Sequence, residues 1–77
     1  MATRRHDWKT RIKGILKAEL KRQGLSYADL AVKLGKIGVR DNELNIKNKI
    51  ARGSFTAVFF VQCLTAIGCR TIHIDAP

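Results

Sequence analysis

Between Ser54 and Cys69 the chain carries no charged residue, although over its 77 residues Lys and Arg number 15 against 6 Asp and Glu. A stretch so apolar (Phe55, Val58, Phe59, Phe60, Val61, Leu64, Ile67) must be covered, by a core or by a subunit interface. Left in water it would be an aggregation hazard. No stretch of the chain reaches the ~18–20 apolar residues that span a bilayer. One short uncharged segment inside a cationic chain therefore dictates a single small domain with that segment at its centre, and leaves no room for a second core.

The charge is graded along the chain. Residues 1–25 hold 8 basic and 2 acidic side chains, residues 26–53 hold 6 and 3, and the remainder holds only Arg70 and Asp75. A formal net charge of +9 on so small a surface points to a polyanion as partner, met by the first two-thirds of the chain. The same composition argues against an enzyme, because few acids, 2 Cys and no more than two His are available to line a pocket. No cofactor and no small-molecule ligand are expected. Cys63, Cys69 and His73 match no standard metal spacing. Two cysteines do not make a disulfide scaffold, and the basic start lacks the apolar run of a secretion signal, so a cytoplasmic location with reduced thiols is expected, away from the membrane.

Four segments read as helices. Over 7–23 Trp8, Ile12, Leu16 and Leu20 recur every four residues with Ile15 beside them, Asp7 offers an N-cap and Gly24 a stop. Trp8 is expected to anchor the core. Over 26–35 Ser26 and Asp29 resemble a capping box ahead of Leu30, Ala31 and Leu34. Over 42–52 Ile46 and Ile50 share a face, Asp41 is the expected cap and Gly53 the end. Over 55–67 β-branched and aromatic residues also suit a strand, but the length, the lack of alternation, Ser54 as cap and Gly68 as stop favour a helix. Thr-Ile-His-Ile at 71–74 alternates like a short strand. It has no partner within the chain, so an antiparallel pairing with a second copy is expected, with Ile72, Ile74 and Phe60 at the interface of a homodimer. The fold class is thus all-α: a four-helix domain, a flexible basic arm over 1–6 and a C-terminal strand or tail over 71–77.

Two short helices joined through a glycine-containing turn, inside a four-helix chain, suggest a helix-turn-helix domain. Leu25-Ser26-Tyr27-Ala28-Asp29-Leu30-Ala31-Val32-Lys33-Leu34-Gly35 resembles the opening of that motif in phage-repressor-type (lambda-repressor-like, Cro-type) regulators. Ile50-Ala51-Arg52-Gly53 resembles the close of their recognition helix, and Phe55 to Gly68 their fourth helix. Ala31 and Gly35 keep the family's spacing, but Lys36-Ile37-Gly38-Val39-Arg40 lengthens the link before the third helix. The chain also resembles a small bacterial domain family of unknown function, a likeness that brings no activity with it.

The resemblance implies a third helix in the major groove of double-stranded DNA and a second helix across the backbone. Asn45 and Asn48 are the side-chain type that pairs bidentately with adenine, and Lys47 and Lys49 can reach guanine edges, so these four are the candidate base contacts. Ser26, Tyr27, Arg40, Arg52, Ser54 and Thr56 are the candidate phosphate contacts. Arg4 and Arg5 form a candidate minor-groove arm. Lys9, Lys13, Lys17 and Lys21, four apart on the first helix, either track phosphates or form an ordinary solvated face. The expected function is a sequence-specific, dimeric, nucleoid-associated transcriptional regulator. A module that binds a protein partner through the fourth helix and the C-terminal strand, as an antitoxin or accessory subunit would, is the alternative.

Overall fold

The computed structural model describes residues 7–74, and helix formation in it follows the caps written into the sequence. Helix α1 is Trp8–Gln23. The Asp7 carboxylate accepts from the Lys9 and Thr10 amides at 3.1 and 3.3 Å and from the Thr10 hydroxyl at 2.8 Å, which satisfies N–H groups the helix itself leaves open. Gly24 ends it in the left-handed region, φ 70°. Helix α2 is Tyr27–Lys36, opened by a reciprocal capping box: the Ser26 hydroxyl accepts from the Asp29 amide at 3.0 Å, and the Asp29 carboxylate accepts from the Ser26 amide at 2.9 Å. Helices α3 (Glu43–Arg52) and α4 (Ala57–Ala66) complete the set.

Two caps differ from the sequence expectation. Asn42 rather than Asp41 caps α3, its side chain accepting from the Asn45 amide at 2.8 Å. Asp41 instead bonds the Asn42 amide and an ammonium group eight residues away, a non-local partner that outcompetes the capping role. Thr56 rather than Ser54 caps α4, through the Phe59 amide at 3.0 Å, so that helix starts two residues later than expected. The long link is mainly loop. Helix α2 runs one residue past Gly35, and then Gly38 at φ 84° and the bond from the Val39 amide to the Leu34 carbonyl, 2.9 Å, turn the chain back.

The core is one residue pair or trio per helix: Leu16 and Leu20, Leu30 and Leu34, Ile46 and Ile50, and Phe59, Cys63 and Leu64, closed by Ile67. No polar or charged residue is buried as a whole with them among the described residues, although the Asp41 side chain alone is only 7% exposed. Helix α2 packs on α3 and α4, and α1 packs on α3. The end of α3 meets the start of α1 so closely that a Cβ on Gly53 would lie 2.6 Å from the Lys9 carbonyl oxygen. Lys13 seals the same corner, donating to the Ala51 carbonyl at 3.2 Å, a cation on the electronegative end of α3.

Two expectations fail here. Trp8 is 63% exposed, lining an open apolar groove with Phe60, Ile72 and Ile74 instead of entering the core. Residues 71–74 form no strand, since a ladder needs a second strand and no described segment supplies one. The basic arm over 1–6, with Arg4 and Arg5, and residues 75–77 lie outside the described residues.

Candidate nucleic-acid interface

Burying Ile46 and Ile50 turns the opposite face of α3 to solvent, as helical periodicity requires. Leu44, Asn45, Lys47, Asn48 and Arg52 are all exposed there, Leu44 at 65%. Two of the four candidate base contacts, Asn45 and Asn48, therefore share one face, while Lys47 is exposed on its flank. Leu44 joins them, a residue that polarity-led reading passes over but whose methyl groups suit a thymine methyl.

Lys49 is drawn elsewhere. Its ammonium lies 2.7 Å from the Asp41 carboxylate and 4.7 Å from the centroid of the Phe59 ring, so it is held by an ion pair and a cation–π contact together. The Asp41 side chain is only 7% exposed. Burial pushes its carboxyl upward, but the Lys49 ammonium, the Asn42 amide at 2.9 Å and the Asn45 side chain together hold it below the usual carboxylate range. Cys63 sits beneath this pair. Burial pushes its thiol up to about 12, with Lys49 pulling down and Asp41 pushing up more weakly. The pair staples the α2–α3 link to α3 and α4, which fixes the outward face of α3.

The candidate phosphate contacts divide. The Ser26 and Thr56 hydroxyls are already engaged as caps, and their helices start at the surface. Arg40, Arg52 and Ser54 are exposed. Tyr27 is half-buried and lines a cleft of about 450 Å³ with Ser26, Leu25, Leu20, Lys17, Lys21 and Glu43. Lys17 and Lys21 are residues whose significance the every-four lysine spacing left open. That spacing was their only signal, because which lysines face α2 depends on how α1 is rotated in the fold.

Phe60, Ile72 and Ile74, the candidate dimer contacts, line one groove of about 370 Å³ with Trp8, Ile12 and Ile15, almost wholly apolar, with Lys9 and Arg11 beside it. The Arg11 guanidinium lies 5.6 Å from the centroid of the Trp8 ring. Among the described residues no helix is long and apolar enough to cross a membrane, and no three His, Cys, Asp or Glu side chains converge as a metal site.

No curated protein and no solved structure matches the chain. Residues 8–72 match the family described as Domain of unknown function (DUF6471), not a phage-repressor-type one, and the chain belongs to that family.

Proposed function

We propose that this chain is a sequence-specific double-stranded-DNA-binding protein, a dimeric bacterial or phage transcriptional regulator that works at the nucleoid by inserting α3 into the major groove. One observation carries the reading: α3 is backed by α2 while its outer face presents Leu44, Asn45, Asn48 and Arg52 together, with Lys47 exposed on the flank, on a chain of net charge +9. Asn48 is a poor helix former in mid-helix, and a base edge gives it a purpose, whereas Asn45, in the first turn of α3, already serves Asp41. Resemblance of residues 25–68 to phage-repressor-type regulators supports the same geometry. Lys49 is assigned a supporting role instead of base contact, because its ammonium is committed to Asp41, and Asn45, whose side chain also bonds that carboxyl, reads a base only by giving up that bond.

The test is anisotropy of labelled duplexes between ~50 and ~200 mM salt, with random DNA beside fragments enriched by selection. A base-reading protein holds the enriched fragments at high salt while random duplex falls away. Asn45→Ala with Asn48→Ala is expected to shrink that gap by roughly 5- to 150-fold per lost bidentate contact. Equal loss on both DNAs sinks the regulator reading.

The alternative, a module that binds a protein partner, is favoured by one observation. Val58 and Val61 stand exposed one turn apart on α4, close in sequence to the apolar groove residue Phe60. A stable heterocomplex on purification, with duplex binding absent, would support it.

A further inference from the structure

The four lysines of α1 have separate fates. Lys13 is spent on the Ala51 carbonyl, and Lys9 packs against Gly53 beside the apolar groove. Lys17 and Lys21, one turn apart, enter the cleft that also holds Tyr27 and the start of α2. Neither has an ion-pair partner among the described residues. The one acid in that cleft, Glu43, opens α3, and it forms no ion pair there either. The α2 helix end does not explain the lysines, because its capping box already provides Asp29 as internal anion.

We propose that Lys17, Lys21 and Tyr27 form a seat for adjacent phosphodiester groups of a DNA strand, and that Glu43 limits its strength. The proposal rests on the DNA-binding reading above and adds residues of α1 to it. Two ammonium groups one helical turn apart are about 5–6 Å from each other at the Cβ atoms, which their flexible stems can open to the phosphate spacing of one strand. The Tyr27 hydroxyl supplies a neutral donor in the same cleft. The cleft floor, Leu20 and Leu25, is apolar, so the phosphates would meet the lysine ammonium groups at its rim while the aliphatic stems of Lys17 and Lys21 pack over the floor. With Glu43 at the α3 start, backbone seating and base reading sit side by side: the strand held by α1 leads to the groove that α3 enters.

The experiment measures random-duplex binding against salt for the full chain and three variants. In Lys17→Ala with Lys21→Ala the slope of log K against log salt is expected to fall by about 2, one counterion for each lost phosphate contact. Arg22→Ala with Arg70→Ala removes the same charge from other faces, where Arg22 pairs with Glu19, and is expected to change the slope by less than half as much. Glu43→Gln is expected to tighten binding several-fold. All these side chains are at the surface, and a circular-dichroism melt confirms that each variant folds. A lysine pair that behaves like the arginine control, or a Glu43→Gln variant that binds no tighter, overturns the seat while leaving the DNA-binding reading standing. An unmodified chain that binds no duplex overturns both.

Discussion

Asp41 and Lys49 decide what the link between α2 and α3 can do, because each is costly to leave alone. Removing the carboxylate leaves the Lys49 ammonium, on a side chain 37% exposed, with only water and the Phe59 ring to face. Asp41→Ala is therefore expected to lower unfolding free energy by roughly 1–3 kcal/mol in urea titrations at neutral pH, and Lys49→Met added to it should restore part of the loss. The pH dependence has a definite sign. A carboxyl held below its unfolded value contributes stability that is present above that value and lost as the pH falls through the lower folded one. The difference between parent and Asp41→Ala should thus shrink below about pH 4 and be unchanged from pH 6 to 8. Cys63 gives a second residue-scale outcome. Buried, with its thiol pushed up to about 12, it should resist a disulfide reagent at pH 8 in the native state, while half-buried Cys69 reacts. Two thiols reacting at equal rates would mean that the core opens at α4. Gly53 is the third: at φ 68° and with the Lys9 carbonyl 2.6 Å from any Cβ, Gly53→Ala combines backbone strain with a clash and should lower the melting midpoint clearly.

At the scale of elements, helix ends separate what the sequence makes legible from what it does not. Thr56→Ala is expected to destabilise by about 1 kcal/mol and Ser54→Ala by less than about 0.5 kcal/mol, measured by thermal denaturation, because only the Thr56 hydroxyl holds an α4 amide. The four helices themselves are readable from apolar spacing and glycine stops, since both are local. Leu16, Leu20, Leu30, Leu34, Ile46 and Ile50 fall where periodicity puts them. Caps are less readable where two capable residues stand close together. Asp41 and Asn42 are both good caps, and the choice falls to Lys49, which is distant in sequence and near only in the fold. Trp8 misleads for a related reason: a stripe says which side of a helix is apolar, not which of its residues the core takes in and which line an open groove. The candidate site follows the same division. The outward face of α3 is legible once Ile46 and Ile50 are placed inward, but the inward turn of Lys49 and the meeting of Lys17, Lys21 and Tyr27 depend on contacts between helices.

For the whole molecule the proposed dimer must bring together two chains of charge +9. Like charges repel most of one surface from most of another, and the surface with least charge is made by α4, beside the apolar groove of Trp8, Phe60, Ile72 and Ile74 whose rim carries Lys9 and Arg11. A two-fold pairing of residues 71–74 would cover that groove and supply the ladder those residues lack alone. Salt should then act with opposite signs on the two associations. Screening the repulsion strengthens self-association, while releasing counterions weakens DNA binding. Sedimentation equilibrium at micromolar concentration is expected to show dimers whose dissociation constant falls between ~50 and ~200 mM salt, as duplex affinity declines. Ile74→Asp separates the interface from the fold: Ile74 is 69% exposed, so the substitution removes no core contact and should leave the melt within about 0.5 kcal/mol of the parent. It should also produce a monomer and weaken binding to a two-fold site, ~34 Å between half-sites, more than to a single half-site. A parent chain that stays monomeric at every salt concentration removes the two-fold regulator and leaves a monomer on DNA. An Ile74→Asp chain that remains dimeric moves the interface away from the C-terminal segment, to the exposed Val58 and Val61 face of α4.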